Sequence, residues 1–246
     1  MSITLRSAQT IRNGITVKGN NTQYVTPPSG LPLLFELDAS VYASGSTWLD
    51  ISGNDRHATK YGSPTWSSES GGCFTIANDG GSYFDIAGSE SGWGIRDAAP
   101  NATFSVWAKL SVSTGNYQQI AGWRNNNFNY YFLLLNNGTT TEARVDGGAS
   151  ADIGMDYTPY YDNWTFITFA TNPTTSSLYL NGTLVGTSDF IAGNQWSGNA
   201  LFEIGHSSAS GFSMNGKIGG VMAYNKELIQ LEVTAEYNRT KTRYGL

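Results

Sequence analysis

WTFITFATNPTTSSLYLNGTLVGTS, residues Trp164 to Ser188, decides the fold. From Trp164 to Ala170 bulky residues alternate with small or polar ones, the period of two expected of a strand with one face on a core and the other outward. Asn172-Pro173 breaks the run. Ser177–Leu180 resumes it, Asn181-Gly182 turns it, and Leu184 and Val185 carry it away. Asn-Gly between apolar runs is the strongest short-range hairpin signal, because a type I′ turn requires positive φ at both central residues. This one stretch therefore reads as antiparallel β.

The whole chain agrees with its centre. Its 246 residues include 29 Gly, 14 Tyr and 7 Trp with only 13% charged residues, which predicts many turns between aromatic-rich strands and a single all-β sandwich. A formal net charge of -5 argues against a nucleic-acid surface, which needs a basic stripe. Cys73 is the only cysteine, so neither an intrachain disulfide nor a cysteine-based zinc cluster can form. No stretch approaches the ~18 consecutive apolar residues of a membrane span. MSITLRSAQTIRNG lacks an apolar signal-peptide core, so synthesis in a cytoplasm without a signal peptide is expected.

The first residues differ in character. Ile3–Leu5 and Ile15–Val17 read as short extended pieces around a turn at Asn13-Gly14, with Arg6, Arg12 and Lys18 and no acid. GNNTQYVTPPSGLP follows, a linker by composition, which divides the chain into an extended N-terminal arm with linker, residues 1–29, and a sandwich, residues 30–246. Ile3, Leu5, Ile11, Ile15 and Val17 are too few to bury a core. The arm is therefore expected to dock on another subunit, adding a strand to an exposed edge. The alternative reading adds its strands to the chain's own sandwich.

Beyond Leu31 a family resemblance accumulates. Leu37-Asp38-Ala39, Tyr42, Gly45, Thr47-Trp48, Asp50, Ser52-Gly53-Asn54 and His57-Ala58 stand at the turn and aromatic positions that open a laminin-G-like jelly roll. Gly72-Cys73-Phe74 with Ser82-Tyr83-Phe84 is similar to a strand pair of that fold. Phe104 to Lys109 resembles its core strand, with Phe104, Val106 and Ala108 on one face and Trp107 on the other. Phe202 to Gly205 and Gly216 to Asn225 resemble its closing strands, and Glu232 to Gly245 its terminal helix and tail. On these residues the chain resembles the concanavalin A-like lectin/glucanase superfamily, as found in phage tail and virion proteins. The resemblance implies an antiparallel two-sheet jelly roll with a short C-terminal helix. Ile229 stands where the family more often has a Ser or Thr helix cap, while Val233 and Tyr237 share one helix face.

What it implies functionally is a non-enzymatic virion structural protein: a fibre, collar or capsid-decoration component anchored by its arm and located on the phage particle. Its partners would be other virion subunits, further copies of itself, and a cell-surface glycan. A free carbohydrate-binding lectin and a divergent glycoside hydrolase are the alternatives. Glycosidases need two carboxylates a few ångströms apart, and the family's glucanases place them as Glu-x-Asp-x-x-Glu. The nearest string is Glu36-Leu37-Asp38, but three positions beyond Asp38 stands Val41. Asp152 and Asp156 read as solvated loop charges, and His57 and His206 as structural.

Binding chemistry is better supplied. Trp123, Arg124, Asn125, Asn127 and Tyr130, in the run from Trp123 to Tyr131, combine amides with flat rings, and Tyr160 and Tyr161 add to them. Sugars are held by that combination, C–H faces on rings and hydroxyls on amides or carboxylates. The competing reading sends the rings into the core and the asparagines into turns. No cofactor is required. Asp50, Ser52 and Asn54 offer oxygens at alternate positions, as calcium loops do, with Asx turns as the alternative.

Overall fold

A computed structural model describes residues 10–11, 15–16, 30–87, 101–112, 118–124, 131–136, 140–146, 151–189, 201–206 and 212–246. Two strands, β1 (Thr10–Ile11) and β2 (Ile15–Thr16), pair with each other, Ile11 opposite Ile15; the expected turn at Asn13-Gly14 lies outside the described residues. The rest of the arm, including Ile3, Leu5, Arg6, Arg12 and Val17, lies outside the described residues.

The sandwich is built from β3 (Leu33–Asp38), β4 (Thr47–Trp48), β5 (Ala58–Tyr61), β6 (Thr65–Ser67), β7 (Cys73–Ile76), β8 (Tyr83–Ile86) and β9 (Ala102–Leu110). It continues with β10 (Gln118–Arg124), β11 (Tyr131–Asn136), β12 (Thr140–Asp146), β13 (Ala151–Asp156), β14 (Thr165–Thr171), β15 (Thr175–Leu180), β16 (Thr183–Asp189), β17 (Leu201–Ile204) and β18 (Gly216–Tyr224). The one α-helix among the described residues, α1 (Gln230–Thr240), follows, and no helix there is long and apolar enough to cross a membrane. Every ladder is antiparallel. One sheet runs β16-β15-β14-β9-β18-β7-β6, with β3 sharing the β18 edge with β7; the other runs β13-β12-β11-β10-β17-β8-β5-β4. Neighbours far apart in sequence interleave as a jelly roll requires.

Alternation fills the space between the sheets. Phe104, Val106 and Ala108 of β9, Ile167 and Phe169 of β14, Phe84 and Ile86 of β8, and Phe202 and Ile204 of β17 form one buried cluster. The hairpin at Asn181-Gly182 forms as expected, with φ +49° and +77°. The Asn181 carboxamide oxygen also accepts from the Phe166 amide, 2.9 Å away, which ties the turn to β14.

Three expectations need correction. The strand Trp164–Ala170 has no outward face: Trp164, Phe166 and Ala170 join Trp107, Tyr179, Met222, Tyr224, Leu228, Val233 and Tyr244 in a second buried cluster. Covering it are α1 and the tail, so the architecture is sheet on sheet with a helical layer on one outer face. Second, β7 and β8 do not pair; they lie in different sheets, because each pairs with a distant segment, β18 and β17. Third, Asp152 and Asp156 belong to strand β13 and not to a loop.

The helical layer is fastened by charge as well as apolar contact. Arg239 donates to Glu36 of β3 at 2.9 Å and to Glu236 at 2.6 Å, and all three side chains are at least nine-tenths buried. Burial alone would pull the guanidinium down; the charges of Glu36 and Glu236 outweigh it and hold it above its ordinary value. Arg243 grips Asp38 and the carbonyls of Ser70, Gly72 and Gly219. The nearest counterpart of a catalytic string, Glu36-Leu37-Asp38, is thus occupied in holding down the C-terminus. Tyr244 lies on Trp107 with ring centroids 4.0 Å apart. Gly219 leaves it room, since a Cβ there would stand 2.4 Å from the Tyr244 hydroxyl. Ile229 caps α1 with no side-chain oxygen, and Glu232 compensates by accepting from the Ile229 amide at 3.0 Å.

Candidate functional site

The helical layer seals the outer face of one sheet, which leaves recognition to the other sheet's outer face and to the loops. In β8 the side chains opposite Phe84 and Ile86 are Tyr83 and Asp85; in β17 the one between Phe202 and Ile204 is Glu203; in β5 those alternating with Ala58 include Tyr61. Register then assembles them. Asp85 stands directly opposite Glu203, and Tyr83 opposite Tyr61. Across an antiparallel pair, directly opposed residues have Cβ atoms about 4.5–5.5 Å apart. Beside Glu203 the next strand contributes Gly122, which adds no side chain to the row.

The rings form a stack. Tyr61 lies on Tyr83 at 4.7 Å with 10° between planes, and Tyr83 on His206 at 4.9 Å and 29°. A close backbone approach sets this alignment: at Gly62 a Cβ would stand 2.2 Å from the Gly81 carbonyl oxygen, so the turn after β5 touches the loop before β8. Asp79 shapes that loop by accepting from the Gly81 and Ser82 amides and from the Ser82 hydroxyl at 2.7 Å.

Exposure grades across the group. Tyr61 is 40% exposed, whereas Asp85 is 7% and Glu203 2%. Burial pushes the Asp85 carboxyl above its ordinary value, a trend the Tyr61 hydroxyl opposes. In turn the Asp85 charge raises the Tyr61 phenol. Burial raises Tyr83, helped by Asp85, Tyr61 and Glu203, so both carboxylates act on this ring. Burial lowers His206, and Asp79 opposes the shift. Its Nδ1 is buried without a hydrogen-bond partner. The arrangement offers one exposed ring for stacking, with hydrogen-bond acceptors behind it.

Of the site expected from sequence, only part lies among the described residues. Trp123 and Arg124 end β10, with Arg124 opposite Tyr131, while Asn125, Asn127 and Tyr130 lie outside the described residues. Tyr160 and Tyr161 pack on the buried Tyr157, each with ring centroids 5.4 Å from it. Their segment sits at the other end of β10: the Asp162 amide donates to Leu110, and Gln118 donates to Ser111. Six residues of strand, about 20 Å, separate Gln118 from Arg124, which sets the Tyr160–Tyr161 segment apart from the backbone of Trp123 and Arg124. Sequence reading missed Asp85 and Glu203. The available signal was an acid at an outward position in each of two apolar strands, Tyr83–Ile86 and Leu201–Ile204.

The loop after β4 is closed on itself. Asp50 accepts at Oδ1 from the Glu36 and Ser52 amides, both 2.9 Å, and at Oδ2 from the Ser52 hydroxyl at 2.9 Å and the Arg56 amide at 3.0 Å. Asn54 spends its amide on the carbonyls of Leu33 and Leu34. His57 accepts from the Asp50 amide, a structural role. Both Asp50 oxygens and the Ser52 hydroxyl are thus taken up by the chain's own donors, the Asx-turn arrangement. Excess EDTA, and calcium added afterwards, should each leave the melting temperature unchanged; a calcium-dependent rise would restore the ion to this loop.

The profile of a family described as the Concanavalin A-like lectin/glucanases superfamily matches residues 78–234. This chain belongs to that family. The superfamily assignment agrees with the two-sheet jelly roll and takes in both Asp85 and Glu203. No protein of curated function matches the chain by sequence. Among solved structures it resembles the botulinum neurotoxin serotype G binding domain, with a TM-score of 0.68, 15% identity, and coverage of 83% of this chain and 50% of that one. The binding domain of Paraclostridial Mosquitocidal Protein 1 gives 0.68 and 16%, covering 84% and 52%. The binding domain of botulinum neurotoxin DC in complex with SialylT gives 0.66 and 17%, covering 84% and 51%. At such identities the likeness is one of fold, and this superfamily chain spans about half the length of those domains.

Proposed function

We propose that this superfamily member is a non-enzymatic glycan-binding domain, displayed on a phage virion as a structural component and tethered by residues 1–29. The observation that carries the binding role is the Tyr61–Tyr83–His206 stack, exposed at Tyr61 and backed by Asp85. A sugar ring laid on Tyr61 gains C–H contact with the aromatic face, and its hydroxyls find acceptors at the ring edge. The name of a structural neighbour's complex, with SialylT, is consistent with such a role for the fold. The virion setting rests on the resemblance of the sequence to phage tail and virion proteins.

Replacing Tyr61 by Ala should remove glycan-array binding with little change in melting temperature, because that ring is partly exposed. Binding that survives the change would place the site elsewhere. Deleting residues 1–29 should leave a folded sandwich that no longer joins its particle; normal incorporation would remove the tether.

A further inference from the structure

We infer that the arm of one copy docks on the β16 edge of a second copy, beside the first turn of α1, and so joins the copies head to tail. The inference rests on the tether reading and names the surface that the arm grips. Apolar side chains lie open there. Leu184 and Val185 of β16, with Ile229 and Leu231 at the start of α1, are exposed, Leu231 most of all at 74%. The Leu184 amide donates to the Gln230 side chain at 3.1 Å and the Gly182 carbonyl accepts from the Thr234 hydroxyl at 2.9 Å, so the hairpin and the helix start form one surface. Val185 is the extra residue of a bulge, where the pairing passes from Leu178–Gly186 to Tyr179–Leu184. Among the described strands β16 pairs with β15 alone, and an edge strand that carries open apolar side chains is a template for a further strand.

Two properties of the arm select it as the occupant. Its strands need a partner, because β1 and β2 form a two-stranded ribbon, which is marginal alone in water. Ile3 and Leu5 precede that ribbon at the spacing of two that gives a strand one apolar face. The arm is also opposite in charge to the sandwich. Arg6, Arg12 and Lys18 are three of the chain's 14 basic residues, and none of its 19 acidic ones lies in the arm, which leaves 11 basic against 19 acidic in residues 30–246. At the patch, Asp189 ends β16 in an exposed position and Lys226 is held by Glu232. Burial raises the Tyr179 phenol and the charge of Glu227 adds to it, which sets a further acid near the ring opposite Leu184. Unlike charges favour the encounter, and salt should weaken it. The chain's entry into the sandwich favours a second copy over the same one. The Pro32 carbonyl accepts from the Asn225 amide at 3.0 Å, beside β3 and β18, and β3 stands five strand spacings from β16, about 24 Å. A connection containing Pro27-Pro28 favours extended chain over a return across the helical layer.

The test is sedimentation of the full chain over a concentration series at low and high salt, beside Leu231→Lys and a chain carrying both Arg6→Glu and Arg12→Glu. Leu231 is exposed, so its replacement leaves the fold intact. The unaltered chain should associate, less in high salt, and each variant should weaken association at least about tenfold, one by lost apolar burial and the other by reversed charge. A short thiol-specific cross-linker decides whose arm is bound. Chains with Leu5→Cys are mixed with chains with Leu231→Cys, and the buried Cys73 stays out of the reaction. Linked pairs with one chain of each kind are expected. A chain that stays monomeric, association untouched by Leu231→Lys, or a doubly substituted chain that links only within itself would each overturn the inference, the last by seating the arm on its own edge. Full chains that never self-associate yet join the particle through residues 1–29 would overturn it and leave the tether standing. Self-association as expected, with normal incorporation after deletion of residues 1–29, would remove the tether and leave this contact.

Discussion

Replacing Arg239 by Ala is expected to cost the protein about 3–5 kcal/mol, the usual loss when one partner of a buried ion pair is removed. The guanidinium stands between Glu36 and Glu236, whose side chains are 4% and 0% exposed, so the change leaves two carboxylates under the helix without their shared cation. The Tyr224 hydroxyl, raised by burial and by the charges of Glu236 and Glu36, stays neutral and supplies no replacement cation. Lys in place of Arg239 should recover only part of the loss. Its single ammonium cannot make the three directed bonds that Nε, Nη1 and Nη2 make to the two carboxylates. Simultaneous replacement of all three residues by apolar ones of similar volume should be close to neutral, because it removes the desolvation cost together with the attraction. Urea denaturation measures all three. An Arg239→Ala loss below about 1 kcal/mol would show that water reaches the network and screens it.

Trp107→Ala should be comparably damaging, about 3–5 kcal/mol, as expected for truncating a fully packed aromatic. Its ring is the floor on which the C-terminal segment lies: Tyr244 at 4.0 Å, Phe166 at 5.1 Å and Tyr237 at 5.9 Å, while its indole N–H donates to the Thr240 hydroxyl at 2.8 Å. The tail should loosen before the sandwich does. Trypsin should then cut at Lys241 and Arg243 under conditions in which the strands still resist, since cleavage follows the population of locally opened states. Global unfolding with no early cleavage would mean that the helix and both sheets melt as one unit. Because Trp107 and Arg239 hold the same helix, the double variant should lose less than the sum of the single losses.

Both predictions concern a layer only half visible in the sequence. Val233 and Tyr237 could be read as one helix face because their spacing is local, and both do pack on the sheet. Nothing local announces that Glu36 will meet Arg239, 203 residues later. The alternation of Trp164 to Ala170 is likewise legible, but an outward strand position reads the same whether water or a helix lies over it. The tail supplies that cover, so apolar residues occupy both faces of β14.

The candidate site divides the same way. Positive φ at Asn181 and Gly182, the inward set Phe104, Val106 and Ala108, and the antiparallel jelly roll were determined by the sequence itself, because adjacent side chains carry the information: a period of two, and a turn that few residue pairs tolerate. Tertiary structure alone decided that Asp85 and Glu203 face each other and that Tyr61, Tyr83 and His206 stack. It also decided that Trp123 and Tyr160 sit at opposite ends of β10. The physical reason is register: which residue of one strand stands opposite which residue of another is fixed by hydrogen-bond ladders and by packing between segments distant in sequence, and a slip of one position would send the side chains of a strand to the other face.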